Sequence, residues 1–208
     1  VNGRWGIPPA ISLSPEFDIV RFSNENLQLD QRHRRVRGGR HGARPMPKRW
    51  NAMGENMDKF SDPAQHALAL ADSEAEAMRH PRIGSEHLIL GLLGATDGLA
   101  CRLLTRSGIE LDRTRKAVLL VFGRGQAAEP PQRTMTLHAR RILKMSNQIA
   151  FQRGDRSVET EHLLLALLEV EKGRGAGVLD LLGLHVEELQ KSVMEDLTQS
   201  KRSEKTSQ

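Results

Sequence analysis

The stretch IGSEHLILGLL occupies residues 83–93, and VETEHLLLALL occupies residues 158–168, which lie 75 positions later. Both stretches place a Glu-His pair in front of a run of mostly leucine residues. A fixed period of this kind means that one structural unit is used more than once. The sequence therefore predicts an internal repeat, and the rest of the chain can be aligned on the same spacing.

The spacing of 75 holds without a gap across candidate helix caps, apolar positions and glycines. The matched pairs are Ser61 and Thr136, Ala64 and Ala139, Leu68 and Leu143, Ala75 and Ala150, Gly98 and Gly173, Leu104 and Leu179, Gly108 and Gly183, and Val118 and Val193. Because chance does not align caps, core positions and helix-stopping glycines together, we interpret the chain as two copies of one unit.

Each unit has the signals of four helices. Ser61 is a candidate cap for a first helix, with Pro63 in its first turn and apolar residues at helical spacing up to Met78. A second helix begins near Ser85. The third is predicted at 98–107, where Gly108 stops it, and the fourth at 111–122.

No stretch alternates between apolar and polar residues as a strand does, so the predicted fold is all-α. We expect two tandem, pseudo-symmetric four-helix repeats within residues 57–198. Repeat 1 covers about 60–122, a linker covers 123–133, and repeat 2 covers about 135–197. Residues 199–208 form a polar tail that we expect to be disordered.

Residues 1–56 differ from the remainder in charge and composition. They contain ten Arg or Lys residues and five acids, and thus carry the whole net charge of +5, because the remainder has 21 of each. Their Gly, Pro and Arg-rich composition predicts a disordered segment. Two interpretations are open: a basic arm that binds nucleic acid, or an extension upstream of a natural start at Met46, Met53 or Met57.

Several function classes have no support in the sequence. No apolar run is long enough to span a membrane and no signal peptide is visible, so we expect a cytoplasmic protein. The single Cys101 is interpreted as a small core residue, and no Cys or His spacing indicates a metal site or cofactor. His87 and His162 fit packing or capping roles, and no catalytic motif is present, so an enzyme is the least favoured class.

The two units resemble a known family. Each has a Ser- or Thr-capped first helix, a second helix of the form [GST]-x-E-H-[LI]-L-x-[GA]-L-L, and a third of the form [LV]-L-x-x-[LS]-G-[IL]. This pattern resembles the Clp N-terminal (Clp R) domain, above all that of ClpC-type AAA+ unfoldases, over residues 58–197. The resemblance implies a platform that receives substrates and adaptors. Because no G-x-x-x-x-G-K-[ST] loop is present, we expect a stand-alone module without ATPase activity.

Ser85, Glu86, Thr160 and Glu161 begin the two second helices. A purely structural interpretation is sufficient for them, since a hydroxyl at the N-cap and a carboxylate in the first turn both stabilise a helix start. The family resemblance implies a second role, in which Glu86 and Glu161 bind phosphoarginine and Ser85 and Thr160 contact its phosphate. Glu159 replaces the glycine of the family motif, so we expect the first site to bind better.

Three hypotheses follow. The first is a non-catalytic module that binds substrates or adaptors of a ClpC/ClpP-type machine, or the unfoldase itself, as an adaptor or a decoy. The second is a nucleic-acid-associated helical protein that uses the basic segment at 32–50, with affinity that falls steeply with salt. The third is an enzyme, for which the sequence offers no catalytic constellation.

Overall fold

The computed structural model describes residues 57–126, 133–170 and 186–206. The elements are a 3-10 helix at Met57–Lys59, α1 (Asp62–Ala77), β1 (Arg82–Ile83), α2 (Ser85–Gly94), α3 (Leu99–Arg106), α4 (Leu111–Phe122), β2 (Thr134–Met135), α5 (Leu137–Arg153), α6 (Thr160–Glu169) and α7 (Val186–Thr206). The predicted all-α fold is confirmed in its architecture. The basic segment 1–56 lies outside the described residues. So does the predicted third helix of repeat 2, with Gly173 and Leu179, together with Gly183, which was predicted to end it.

The helix caps follow the predicted period. Ser61 caps α1 by accepting a hydrogen bond from the amide of Ala64 at 3.4 Å. Thr136 caps α5 in the same way and accepts from the amide of Ala139 at 3.1 Å. A side-chain oxygen at this position satisfies one of the backbone donors that the first helical turn leaves without a partner. The two first helices thus begin by the same chemistry.

Two short strands that the sequence did not predict join the repeats. β1 pairs in parallel with β2, so that Ile83 lies opposite Met135, and an isolated bridge joins Phe60 to Val158. Adding 75 to Phe60 gives Met135, and adding 75 to Ile83 gives Val158. The segment before the first helix of each repeat therefore pairs with the segment before the second helix of the other repeat.

Backbone hydrogen bonds follow the same exchange. The Ser61 amide donates to the Val158 carbonyl at 3.1 Å, and the Thr136 amide donates to the Ile83 carbonyl at 2.9 Å. These two bonds are equivalent under the 75-residue spacing, so the repeats are related by a pseudo-two-fold axis. Strands of two residues are too short to produce a readable alternation of apolar and polar residues, which is why the sequence pattern missed them.

One hydrophobic core runs through both repeats. Its members come from α1, α2 and α3 of repeat 1 and from α5, α6 and α7 of repeat 2, and include Leu68, Ile89, Leu104, Leu143, Leu164 and Val193. A smaller cluster packs α4 against α2 and the end of α1; it consists of Met78, Leu90, Ala117 and Val118. Because one core contains side chains of both repeats, neither repeat buries its apolar surface without the other.

Ion pairs connect the acidic helix α1 to α4 and to the residue before β2. Arg133, which precedes β2, donates to Asp72 at 3.1 Å and to Glu76 at 2.9 Å. Arg115 of α4 binds the carboxylate of Glu74 with two of its nitrogens. Asp72, Glu74 and both arginines are largely buried, and bidentate arginine–carboxylate pairs are among the stronger polar contacts in proteins.

The described helices differ from the predicted ones in one place. α7 continues to Thr206, whereas the sequence predicts that repeat 2 ends near 197 and that residues 199–208 are disordered. The helix contains neither Gly nor Pro, so no residue in it opposes continuation. Among the described residues no single helix is both long and apolar enough to cross a bilayer. α2 and α3 reach that length and composition together, but they meet at 97°.

The close approach of α1 to α2 depends on Gly91, because a Cβ there would overlap the Ala67 carbonyl oxygen and lie 2.8 Å from the Ala71 amide nitrogen. Helix propensity alone would favour Gly91→Ala by about 1 kcal/mol. We expect the backbone clash to outweigh this gain, so that the substitution lowers the free energy of unfolding by about 2 kcal/mol or more in chemical denaturation.

The matched control is Gly94→Ala on the same helix, where the nearest atom to a new Cβ is the flexible end of Leu70 at 3.0 Å. Because no backbone atom opposes the gain in helix propensity, this control is expected to leave the free energy of unfolding unchanged or to raise it by up to about 1 kcal/mol. Equal stability of the Gly91 and Gly94 variants would contradict the proposed packing of α1 on α2.

Candidate functional site

The two helix starts singled out in the sequence directly follow the exchanged strands. Ile83 of β1 leads into Ser85 and Glu86, and Val158 leads into Thr160 and Glu161. Ser85 is 2% exposed, Glu86 4% and Thr160 1%, whereas Glu161 is partly exposed. The strand pairing therefore fixes where these four side chains lie and places three of them below the surface.

The hydroxyl residues do not occupy the N-cap positions that the structural interpretation gave them. The caps are Gly84 for α2 and Glu159 for α6, so Ser85 and Thr160 are the first helical residues. The capping is done by histidine: His87 Nδ1 accepts from the Gly84 amide at 3.0 Å, and His162 Nδ1 accepts from the Glu159 amide at 3.0 Å. The predicted capping role of the two histidines is confirmed.

In repeat 1 this cap extends into a chain of two buried imidazoles. His87 Nε2 lies 2.8 Å from His80 Nδ1, and His80 Nε2 lies 2.9 Å from the Gly123 carbonyl oxygen. Since His87 Nδ1 accepts a hydrogen bond from the Gly84 amide, Nε2 of its neutral ring carries the hydrogen and donates to His80. The chain is satisfied when both rings are neutral.

The same cluster is the one group among the described residues whose spacing could suit a metal ion. The ligand atoms of His80, Glu86 and His87 lie within 4.8 Å of one another. However, the hydrogen-bond directions place a proton on Nε2 of both rings, and each Nδ1 already accepts a hydrogen bond, that of His80 from His87 and that of His87 from the Gly84 amide. The geometry favours a proton-ordered hydrogen-bond chain over a metal site.

Repeat 2 uses a carboxylate where repeat 1 uses the second imidazole. His162 Nε2 lies 3.0 Å from Asp155 Oδ2, and Asp155 is 75 positions after His80. Burial lowers the pKa of His162, and this effect outweighs the attraction of the Asp155 carboxylate. His162 thus favours the neutral form that its capping role needs.

Thr160 links the candidate site to the other repeat. Its Oγ1 accepts a hydrogen bond from the Ala100 amide at 3.2 Å, in the first turn of α3. A Cβ at Gly98, the N-cap of α3, would lie 2.6 Å from Thr160 Cγ2, so only glycine permits this approach. The predicted phosphate contact of Thr160 therefore competes with an existing contact between the repeats.

Glu159, which departs from the family motif, also joins the repeats. Its carboxylate accepts from the hydroxyl of Ser61 at 2.6 Å and from that of Ser157 at 2.8 Å. The side chain is thereby turned toward the cap of α1. In repeat 1, a Cβ at the equivalent Gly84 would overlap the carboxylate of Glu86, so glycine there lets Glu86 fold back over the helix start.

The two helix starts differ strongly in charge. Glu86 has His80 and Gly84 around it, whereas Glu161 has Asp155 and Glu159 at the equivalent positions. Burial raises the pKa of Glu161, and repulsion from the Glu159 and Asp155 carboxylates adds to it. Together these effects outweigh the hydrogen bonds that its own backbone amide and the Thr160 hydroxyl donate. The second site is thus rich in negative charge, and a cation is favoured there over an anion.

His80, Asp155 and Ala100 lie beside the site but were not predicted from the sequence. His80 and Asp155 are equivalent under the 75-residue spacing, so the alignment of the repeats could have identified them as a pair. The amide of Ala100 had no such signal, because backbone contacts across a fold leave no trace in residue type. Cys101 is a buried core residue as predicted, and its Sγ donates to the Leu93 carbonyl at 3.1 Å.

Comparison with known proteins agrees with this architecture. The model of the Clp repeat (R) N-terminal domain matches residues 59–180 and 134–208. A chloroplastic chaperone protein ClpC of Pisum sativum is 36% identical over 126 residues, which is 61% of this chain and 14% of that protein. The chain spans less than a fifth of the length of the curated relatives it matches.

Solved structures of low sequence identity share the fold. The N-terminal domain of ClpD from Arabidopsis thaliana has a TM-score of 0.61 at 20% identity and covers 69% of this chain and 97% of that domain. A ClpV N-domain solved in complex with a VipB peptide has a TM-score of 0.53 at 19% identity, with 73% and 92% covered.

The raised pKa of Glu161 makes a prediction about stability. A carboxyl group whose pKa is higher in the folded than in the unfolded state supports folding only at low pH, and this support is lost as pH rises through the folded-state pKa. Ionised Glu161 is therefore destabilising at pH 7. We expect Glu161→Gln to have the higher free energy of unfolding at pH 7, with the difference vanishing below about pH 4.

Denaturant unfolding at several pH values measures this difference. The control is Glu110→Gln, which changes an exposed carboxylate at the N-cap of α4 and should alter stability by less than about 0.5 kcal/mol. A Glu161→Gln variant that is no more stable than the wild type at pH 7 would show that the ionised Glu161 carboxylate does not destabilise the folded state.

Proposed function

Because the chain belongs to the Clp repeat (R) N-terminal domain family, we propose that it is a non-catalytic module that recognises other proteins. We further propose that the starts of α2 and α6 bind arginine side chains of those proteins, and that the first of them binds phosphoarginine. The observation that carries this proposal is the pair of carboxylates, Glu86 and Glu161, held at equivalent helix starts by the exchanged strands.

The chemistry of phosphoarginine fits such a helix start. Its guanidinium group pairs with a carboxylate in charge-assisted hydrogen bonds, which are often bidentate. Its phosphate is favoured at the positive end of a helix, where backbone amides and hydroxyl groups can donate to it. Glu86 supplies the carboxylate, and Ser85 supplies the hydroxyl, at the first two positions of α2.

The charge around each site determines whether phosphoarginine or unmodified arginine is favoured there. Near Glu86 the equivalent positions are an uncharged Gly84 and the hydrogen-bonded His80, so a phosphate meets a single carboxylate. Near Glu161 two further carboxylates, Glu159 and Asp155, repel a phosphate but attract a cation. The α2 site therefore suits phosphoarginine, and the α6 site suits unmodified arginine.

The proposed partners are substrates or adaptors of a ClpC/ClpP-type machine, or the unfoldase itself. A delivery adaptor and a soluble decoy use the same binding surface, so the proposal covers both. The ClpV N-domain in complex with a VipB peptide offers a precedent for peptide binding on this fold. Binding rather than catalysis fits the described site, in which the histidines are engaged in capping.

Calorimetric titration of the full chain with phosphoarginine and with arginine tests the proposal. We expect Glu86→Gln to weaken phosphoarginine binding by about tenfold or more, since it removes the charge that pairs with the guanidinium group. Glu161→Gln should weaken binding of plain arginine and leave phosphoarginine binding at the first site nearly intact.

The control is again Glu110→Gln, which changes a carboxylate at a helix start outside the repeated motif. Unchanged phosphoarginine affinity in Glu86→Gln would refute the site assignment. Absence of phosphoarginine binding to the folded wild-type chain would remove the tag-reading function and leave protein recognition to other surfaces.

A further inference from the structure

The matched helices α1 and α5 have opposite charge. α1 contains Asp62, Asp72, Glu74 and Glu76 and no Lys or Arg, whereas α5 contains Arg140, Arg141, Lys144 and Arg153 and no Asp or Glu. Three of the four acids of α1 are paired with Arg115 or Arg133. In α5 only Arg153 has an ion pair among the described residues, with Asp155.

The free cations of α5 belong to one exposed stripe. Leu137, Arg141, Lys144, Gln148 and Phe151 recur at the spacing of a single helix face, and all five are exposed. Arg140 lies beside this stripe and is also exposed. The two apolar residues at its ends are unusually open to solvent, with Leu137 79% and Phe151 86% exposed. We call these six residues the α5 stripe.

Exposed aromatic and arginine side chains are the types that contribute most to protein–protein binding, so Phe151 with Leu137 and the cations between them could anchor a partner. The equivalent residues of repeat 1 are Asp62 for Leu137 and Glu76 for Phe151, so the repeat itself does not require apolar side chains here. The α5 stripe is thus a property of the second repeat alone.

We propose that the α5 stripe binds an acidic segment of a partner protein, with apolar side chains that contact Leu137 and Phe151 and carboxylates that pair with the cations between them. The two apolar residues are 14 positions apart, so the segment spans about 21 Å, or roughly four helical turns. This surface lies on α5 and does not depend on phosphoarginine binding at the start of α2.

The chemistry of the stripe disfavours other occupants. The segment at residues 1–56 has ten basic and five acidic residues, so its charge repels the stripe. A membrane-bound helix has cations on one face and apolar residues on the opposite face, whereas here both share a face. A nucleic acid would pair with the cations but would offer no apolar surface to contact the aliphatic Leu137.

The probe is a synthetic helical peptide of about 18 residues with two leucines spaced like Leu137 and Phe151 and glutamates between them on the same face. A control peptide carries lysines in place of the glutamates. Fluorescence anisotropy with the full chain should show binding of the acidic peptide alone, with affinity that falls as salt is raised. Phe151→Ser and Arg141→Glu should each weaken it by about tenfold or more.

Matched control variants come from α4, which exposes Arg113 and Leu120 in a comparable arrangement. Arg113→Glu and Leu120→Ser should leave peptide affinity within about twofold of the wild type. Because all four substituted side chains are exposed, circular dichroism should show that each variant is folded.

Four results would overturn the proposal. These are equal binding of the lysine peptide, equal loss of affinity in the α4 variants, absence of binding by the acidic peptide, and binding of single-stranded RNA or anionic vesicles with the same dependence on Phe151 and Arg141. A wild-type dimer that Phe151→Ser converts to a monomer, measured by light scattering, would also overturn it and would assign the stripe to contact between two copies of the chain.

Discussion

The exchange of short strands between the repeats is the constraint on which the rest of the structure depends. The Ser61 amide binds the Val158 carbonyl, and the Thr136 amide binds the Ile83 carbonyl, so each first helix begins where the other repeat's second helix begins. Each such bond contributes only about 1 kcal/mol, but leaving its buried groups unpaired costs about 1–3 kcal/mol. The exchange therefore fixes the register of one repeat on the other more firmly than apolar burial does, since burial is non-directional.

The strand exchange determines the geometry of the candidate site. Ser85 and Thr160 come two residues after the paired residues Ile83 and Val158, and the Thr160 hydroxyl accepts a hydrogen bond from the Ala100 amide of the opposite repeat. Glu159 adds a contact to Ser61. In this chain, residues that could hold a ligand and residues that hold the repeats together are the same or adjacent ones. A ligand at either helix start is therefore expected to affect the contact between the repeats as well as the site itself.

The sequence predicted the parts of the fold that depend on local chemistry. The caps at Ser61 and Thr136 and the bounds of α4 are local signals, and the 75-residue period located the helix starts. The strand exchange was not predictable from the same pattern, because two-residue strands show no periodicity. The N-caps of α2 and α6 were misassigned to hydroxyl residues, since the third helical position supplies a histidine that does the capping. The contacts of Thr160 and Glu159 depend on residues 60 and 98 positions away, a distance at which residue type alone specifies no partner.

Native-state hydrogen exchange tests most directly whether the strand exchange makes the two repeats one unit. We expect the amides of Ser61, Thr136 and Ala100 to exchange only through global unfolding, with the same free energy as core amides such as those of Leu90 and Leu165. We also expect Thr160→Val, which removes one hydroxyl and keeps the shape, to lower this free energy in both repeats alike. Exchange of one repeat's core amides at a clearly lower free energy than the other's would show that the repeats unfold separately and that the strand exchange does not make them one unit.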